Sequence, residues 1–234
     1  MRFEPALHQA TMVRRYKRFL VDVRLPDGTR DTIHCANTGA MSACVFPGFP
    51  VYFSVSDNPN RKLRGSLEIV QTPEDHLICV NTNRANRIVK EALATHTIDG
   101  LRNGEFQSEV KIPDEAGRFD FGNEDVFIEV KNVTYLREKV GVFPDARSAR
   151  ATKHVNALHR CVKRGERAVL LFCVAHTGIN QVAIADDIDP VYDAAVRDAV
   201  AAGVEVLAYR CEITPKTLVL DRSVPFLGSS STVD

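Results

Sequence analysis

Two carboxylates and a lysine fall close together in one short stretch of this 234-residue chain: Asp120, Glu129 and Lys131. Acid, acid and ammonium group on one surface suit Mg2+-assisted cleavage of a phosphodiester. Mg2+ (or Mn2+) takes oxygen ligands. Asp120 and Glu129 would supply charge, and the backbone carbonyl of Val130 a third oxygen. A bound ion would lower the pKa of its water and stabilise the charge that develops at phosphorus. Lys131 would hold that water or neutralise the transition state. The same Asp-x8-Glu-x-Lys spacing also fits an exposed strand face whose charges pair with each other.

The elements around these residues read as a β-hairpin over 118–131. Phe119 and Phe121 are expected on one face, with Arg118 and Asp120 on the other. On the second strand Val126, Ile128 and Val130 share the apolar face, and Glu129 and Lys131 point the opposite way. With the faces in phase, Asp120 and Glu129 stand opposite or diagonal, about 5 to 8 Å apart. Glu91, on the helix before this sheet, is expected as an outer acid of the same site. Glu109, on the preceding strand, is a comparable candidate, and Glu91 is favoured.

Two basic regions could hold phosphates. Arg147, Arg150 and Lys153 are spaced by three along an expected helix, with His154 beside them. Arg160, Lys163, Arg164 and Arg167 extend the positive charge. Such a stripe can track a nucleic-acid backbone, or be a solvated face. Near the N-terminus, Arg14, Arg15, Tyr16, Lys17, Arg18 and Phe19 interleave four cations with two aromatics. Bases stack on such rings while phosphates pair with the charges. Tyr16 and Arg18 are expected to face outward, and Phe19, Val21 and Val23 to face a core. Arg61, Lys62 and Arg64 add a second patch.

Along the chain as a whole, residues 10–80 look all-β. The expected strands are Thr11–Leu25, Thr29–Ala36, Pro50–Ser56, Ser66–Thr72 and His76–Asn81, separated by Pro/Gly/Asp turns. Five short strands of this kind suit a small closed barrel, the OB-fold above all. After Asn81 the pattern becomes α/β. Helices are expected over Asn83–Thr95, Asp145–Val162 and Pro190–Ala202. Strands are expected over Gln107–Ile112, Gly117–Phe121, Val126–Lys131, Arg167–Ala175 and Val204–Tyr209. The apolar run Ala168 to Val174 reads as a central parallel strand buried on both faces. The fold class is thus α+β with two domains, an OB-like barrel over 1–82 and an α/β domain with a mixed sheet over 83–226. A loose tail over 227–234 is expected.

The charges balance, with 30 basic and 30 acidic residues, so bulk charge alone would not hold nucleic acid. They are uneven, however. Residues 137–167 carry nine Lys/Arg against three Asp/Glu, which implies a local basic face. The six cysteines form no CxxC pair and read as buried hydrophobes rather than disulfides or zinc ligands. No run approaches a membrane span, so a cytoplasmic protein without membrane contact is expected.

Several stretches together resemble the sugar fermentation stimulation protein A family. They are Gln9 to Thr11, Tyr16 to Leu20, His34 to Met41, Asn81-Thr82, Ala85 to Arg87, Ser108 to Lys111, Asp120-Phe121, Ile128 to Lys131, Gly141 to Ala146, Lys153-His154 and Gly203 to Tyr209. The resemblance implies an OB-like N-terminal domain and a C-terminal domain similar to the PD-(D/E)xK nucleases. It also implies DNA binding without clear sequence preference and a link to sugar (maltose) metabolism. By position Asp120 matches the motif's first acid, and Glu129 and Lys131 its paired acid and lysine. Phe119 stands where the motif usually has Pro, a residue that shapes the turn rather than binding metal.

The leading expectation is a protein that binds single-stranded or duplex DNA and retains a Mg2+-dependent nuclease site. The alternative is a non-catalytic DNA-binding regulator that keeps the nuclease fold only as a surface. A carbohydrate-responsive binder ranks last, because no Trp and five Tyr offer few platforms for sugars.

Overall fold

The basic N-terminal stretch folds as a hairpin, not as one strand. The computed structural model describes residues 1–232 apart from Thr38, Ser42, Asn103 and Asp114. Strand β1 (His8–Tyr16) turns back into β2 (Leu20–Arg24). At the tip Lys17 and Arg18 have φ of 49° and 65°. That left-handed backbone cannot continue a strand. The expected Thr11–Leu25 strand is therefore broken at its most basic point. Val21 and Val23 do face the barrel core, but Phe19 lies at the tip and is 46% exposed. Arg18, expected outward on a strand, is also at the tip.

Strands β3 (Arg30–His34), β4 (Pro50–Val55) and β5 (Gly65–Gln71) complete a five-stranded barrel. The order β3-β2-β1-β4-β5 closes on itself where His34 of β3 meets Ser66 of β5. Met12, Val21, Val23, Ile33, Val51 and Leu67 fill the interior. At Gly65 a Cβ would stand 2.4 Å from the Ile33 side chain, so only glycine allows this approach. Strand β6 (Leu77–Cys79) pairs with β5 and then runs onto the C-terminal half. The Cys79 N–H donates to the Ala175 carbonyl at 2.9 Å, and the Thr177 N–H to the Leu77 carbonyl at 3.0 Å.

Helix α1 (Asn83–Ala94) buries Ala85, Ile88, Val89, Ala92 and Leu93, the spacing that announced it. Next come β7 (Gln107–Lys111), β8 (Arg118–Gly122) and β9 (Val126–Val133), then short β10 (Tyr135–Arg137) and β11 (Val140–Phe143). Helix α2 (Ala149–Lys163) starts later than Asp145, because Ser148 is its cap and accepts from the Ala151 N–H. Strands β12 (Arg167–Val174) and β13 (Val182–Ile184) precede helix α3 (Pro190–Ala202). Asp189 caps α3 and Gly203, at φ 110°, ends it. Strands β14 (Glu205–Ile213), β15 (Leu218–Ser223) and β16 (Phe226–Ser229) finish the chain.

The main sheet has the order β15-β14-β12-β9-β8-β7. Its centre, β12, runs parallel to both β9 and β14, which explains its unbroken apolar run. One sheet face packs on α1 through Phe121, Ile128 and Leu171; the other packs on α2 and α3 through Phe119, Leu170 and Phe172. Met1 and Phe3, ahead of the barrel, are buried in the α1-side core. A second sheet, β10-β11-β13-β16, was not anticipated. It takes up part of the expected tail: Phe226–Ser229 pairs with β13, and the Ser230 hydroxyl donates to Asp186 at 2.7 Å. The final two tail residues, 233–234, lie outside the described residues, as does Thr38 of the expected family motif. The six cysteines are free and buried. Among the described residues no helix is long and apolar enough to cross a membrane.

Candidate active site

The β8–β9 ladder ends where the acids begin. Phe121 pairs with Ile128 and Gly122 with Phe127. One step further the register would set Asp120 opposite Glu129. There the Asp120 carboxylate replaces a backbone partner: Oδ2 accepts the Val130 N–H at 2.7 Å, and Oδ1 accepts Asn86 Nδ2 at 2.6 Å. A strand residue's N–H and C=O point to the same side. The Val130 carbonyl therefore also turns toward Asp120.

Strand β8 does not keep simple alternation. Phe121 enters the α1-side core and Phe119 the α2-side core, so the two do not share a face as expected. The β7–β8 ladder is interrupted at the same point. Ser108 pairs with Phe121 and Val110 with Phe119, but Glu109 between them sits at φ 57° and drops out of the ladder.

Glu129 and Lys131 project toward α2. Lys131 Nζ donates to Glu129 Oε1 at 2.6 Å, and His154 Nδ1 meets the same oxygen from α2. Glu129 is 3% exposed, and its other oxygen, Oε2, is buried with no partner. Burial alone would push the Glu129 carboxyl up; the His154 hydrogen bond and the Lys131 charge outweigh it and hold the group below the usual carboxylate range. Asp120 moves the other way. Burial, and then the neighbouring Glu129 charge, raise it against the pull of Val130 N–H and Asn86. Two acids sense each other, and only one is fully compensated.

This donor set fits a hard divalent cation. A crowded carboxylate pair, an orphaned buried carboxylate oxygen and a backbone carbonyl are oxygen ligands of the kind Mg2+ prefers. No cluster of three His, Cys, Asp or Glu groups occurs among the described residues. Asp120, Glu129 and the Val130 carbonyl would thus hold the ion, with water completing its shell.

Other expected residues are placed differently. Glu91 is not at the site; its carboxylate pairs with the Met1 amine at 2.8 Å and is 48% exposed. Five helical residues separate it from Asn86, a rotation of about 140°, so a helix that aims Asn86 at Asp120 aims Glu91 away. Arg147 precedes α2 and donates to the Ile188 carbonyl at 3.2 Å, so the three-residue stripe reduces to Arg150 and Lys153 on the helix. Lys153 donates to the Ala116 carbonyl. Arg160 and Arg167 form ion pairs with Glu115 and Glu205. Arg147, Thr152, Lys153 and Arg160 nevertheless border one groove of ≈ 610 Å³.

On the barrel Arg14 pairs with Asp22 at 2.7 Å and lies over the Tyr16 ring. The Tyr16 hydroxyl also donates to Asp22. Arg15 donates to the carbonyls of Asn37 and Gly39 at 3.0 Å each, so it ties down the loop after β3. Arg61 donates to the Ser66 hydroxyl. Lys17, Arg18 and Lys62 are exposed. Sequence reasoning missed the roles of Asn86 and His154. A signal for His154 existed: it shares the buried face of α2 with Ala151, Val155 and Leu158.

Comparison with known proteins agrees with this architecture. A family model described as the SfsA N-terminal OB domain matches residues 13–80, and the sugar fermentation stimulation protein RE domain matches 83–217. A sugar fermentation stimulation protein homolog of Pseudoalteromonas atlantica is 46% identical, over 97% of this chain and all of its own. The homolog of Teredinibacter turnerae is 48% identical over 94% of this chain and 98% of its own. Among solved structures, Pyrococcus furiosus SfsA in complex with Ca2+ superposes with a TM-score of 0.84 at 20% identity, covering 97% and 98% of the two chains. At that identity the match speaks for the fold. With both halves matched in order and nearly the whole length aligned, the chain belongs to the sugar fermentation stimulation protein family.

Proposed function

We propose that this protein binds DNA without strong sequence preference and hydrolyses its phosphodiesters at Asp120, Glu129 and Lys131 with Mg2+ or Mn2+. The observation that carries the reading is the buried Glu129, whose Oε2 lacks any partner beside a second, crowded carboxylate. The Pyrococcus furiosus relative was solved in complex with Ca2+, which supports a divalent-ion site in that protein. Val130 N–H and Asn86 fix the Asp120 carboxylate. His154 and Lys131 occupy one oxygen of Glu129 and leave the other free. Lys131, paired with the same acid, would neutralise charge developing on a phosphate. A bound Mg2+ would supply a water of lowered pKa and positive charge. A link to sugar (maltose) metabolism belongs to the same proposal and rests on the family name.

The test is incubation of the whole chain with Mg2+ or Mn2+ and labelled single-stranded, duplex and branched DNA. Metal-dependent cleavage is expected, reduced by about a hundredfold or more in Asp120→Ala. Equal cleavage by the variant removes the assignment. One observation favours the second reading, a non-catalytic DNA-binding regulator: the Lys131 ammonium is already paired with Glu129. That reading expects metal-independent binding that weakens steeply with salt, and no cleavage of any substrate.

A further inference from the structure

We infer that a notch between the barrel and the C-terminal half receives a single unstacked nucleobase from the DNA strand held at Asp120 and Glu129. This rests on the function proposed above. The notch, ≈ 200 Å³, is bordered by Asn37 from the barrel, Thr82 ahead of α1, Asn132 and Thr134 on and after β9, and Phe143 and Asp145 at the end of and after β11.

Its position ties it to the acids. Asn132 directly follows Lys131. Thr82 stands four residues before Asn86, about one helical turn or ~6 Å, and Asn86 holds Asp120. The notch therefore sits on the same two elements, the end of β9 and the start of α1, that position the acids.

The lining matches a heterocycle. Among the described residues, the side chains of Thr82, Asn132, Thr134 and Asp145 make no hydrogen bond to protein, so their donors and acceptors are unspent. Val142 and Phe143 give an apolar wall. Hydrogen-bonding edges around an apolar face are how proteins take hold of unstacked bases. The volume lies below the roughly 300 Å³ at which drug-sized pockets begin, so the notch holds one base and not a base pair. The Asp145 carboxylate repels a phosphate, which leaves the phosphate to Lys131 outside. Arg15 acquires a role here, because it anchors the Asn37 and Gly39 carbonyls of the loop that forms the barrel side.

The experiment compares the affinity of the whole chain, in Ca2+, for a fluorescent oligo(dC) strand and for an abasic strand of equal length and charge. The wild type should prefer oligo(dC) by about tenfold. Asn132→Ala, and the near-isosteric Thr82→Val, should reduce that preference several-fold while affinity for the abasic strand stays. Variants that keep the preference, or that lower both affinities alike, overturn the notch and leave DNA binding standing. Displacement of oligo(dC) by glucose, abolished in Asn132→Ala, would assign the notch to a sugar and overturn it as well. Failure of the wild type to bind either strand overturns the proposed function and the notch with it.

Discussion

Replacing Arg84 by Ala should destabilise the protein strongly, because of what it abandons. Glu68 on β5 is 0% exposed. Its Oε1 accepts from the Ser54 hydroxyl at 2.8 Å and from Arg84 Nη2; its Oε2 accepts from Asn81 Nδ2 at 2.9 Å and Arg84 Nε at 2.8 Å. Truncating Arg84 leaves a buried carboxylate with two neutral donors and no countercharge. Breaking a buried pair from one side costs about 3 to 5 kcal/mol. The Arg84 side chain is 21% exposed, so water can enter in its place, and about 3 kcal/mol is expected. For a chain of this size that is a fall in Tm of roughly 6 to 12 °C. The double variant Glu68→Gln with Arg84→Met removes both charges and should recover most of the loss, since a neutral pair of similar volume is nearly equivalent. Urea unfolding followed by circular dichroism measures all three proteins. A loss under about 1 kcal/mol for Arg84→Ala, or a double variant as weak as the single one, would refute the reasoning.

Three further outcomes follow from the same contacts. Burial, and then the neighbouring His76 ring, lower the His176 pKa from 6.5 to about 4. The unfolded chain therefore takes up a proton that the folded chain refuses; stability is full above pH 6.5 and falls as the pH drops toward 4, by up to about 3 kcal/mol. Thermal melts across that window should show a flatter profile for His176→Asn, and an unchanged profile would exclude His176 as the cause. Glu129→Gln should abolish stabilisation by Mn2+, which in the wild type amounts to about 2.7 kcal/mol at a hundredfold excess over Kd; an equal thermal shift in both would remove Glu129 from the ion's ligands. Lys17→Ala and Arg18→Ala should each lower the salt dependence of DNA binding by about one unit of slope, whereas Arg14→Ala, already paired with Asp22, should change it less; the reverse order would move the DNA contact away from the hairpin tip.

What could be read in the chain, and what could not, follows from the range of each signal. Helix α3 carries its own start and stop in Asp189, Pro190 and Gly203, and β12 carries its burial in a continuous apolar run. Both are local, and both appear where expected. The break at Lys17-Arg18 has no Gly, Asn or Pro to mark it, so strand propensity ran straight through a turn that tertiary pairing imposes. Strands β11 and β13, four and three residues long, are too short to show any period. The acids at 120 and 129 were legible because one hairpin brings them together. Asn86 and His154 reach them from helices 34 and 25 residues away. Periodicity says which side of a helix is buried, not which partner waits there. The same gap misassigned Glu91, whose direction the Asn86 and Met1 contacts reveal.

The seam where β6 runs on past the barrel has a mechanical consequence. Cys79 and Thr177 lock the two halves with main-chain bonds to Ala175 and Leu77, and Leu77 adds a third to the Thr177 hydroxyl. Jaws hinged there could not swing without tearing sheet apart. Any polymer spanning from the hairpin tip to the acids would therefore have to conform to a fixed surface, and flexible or already frayed strands should settle on it more readily than stiff ones.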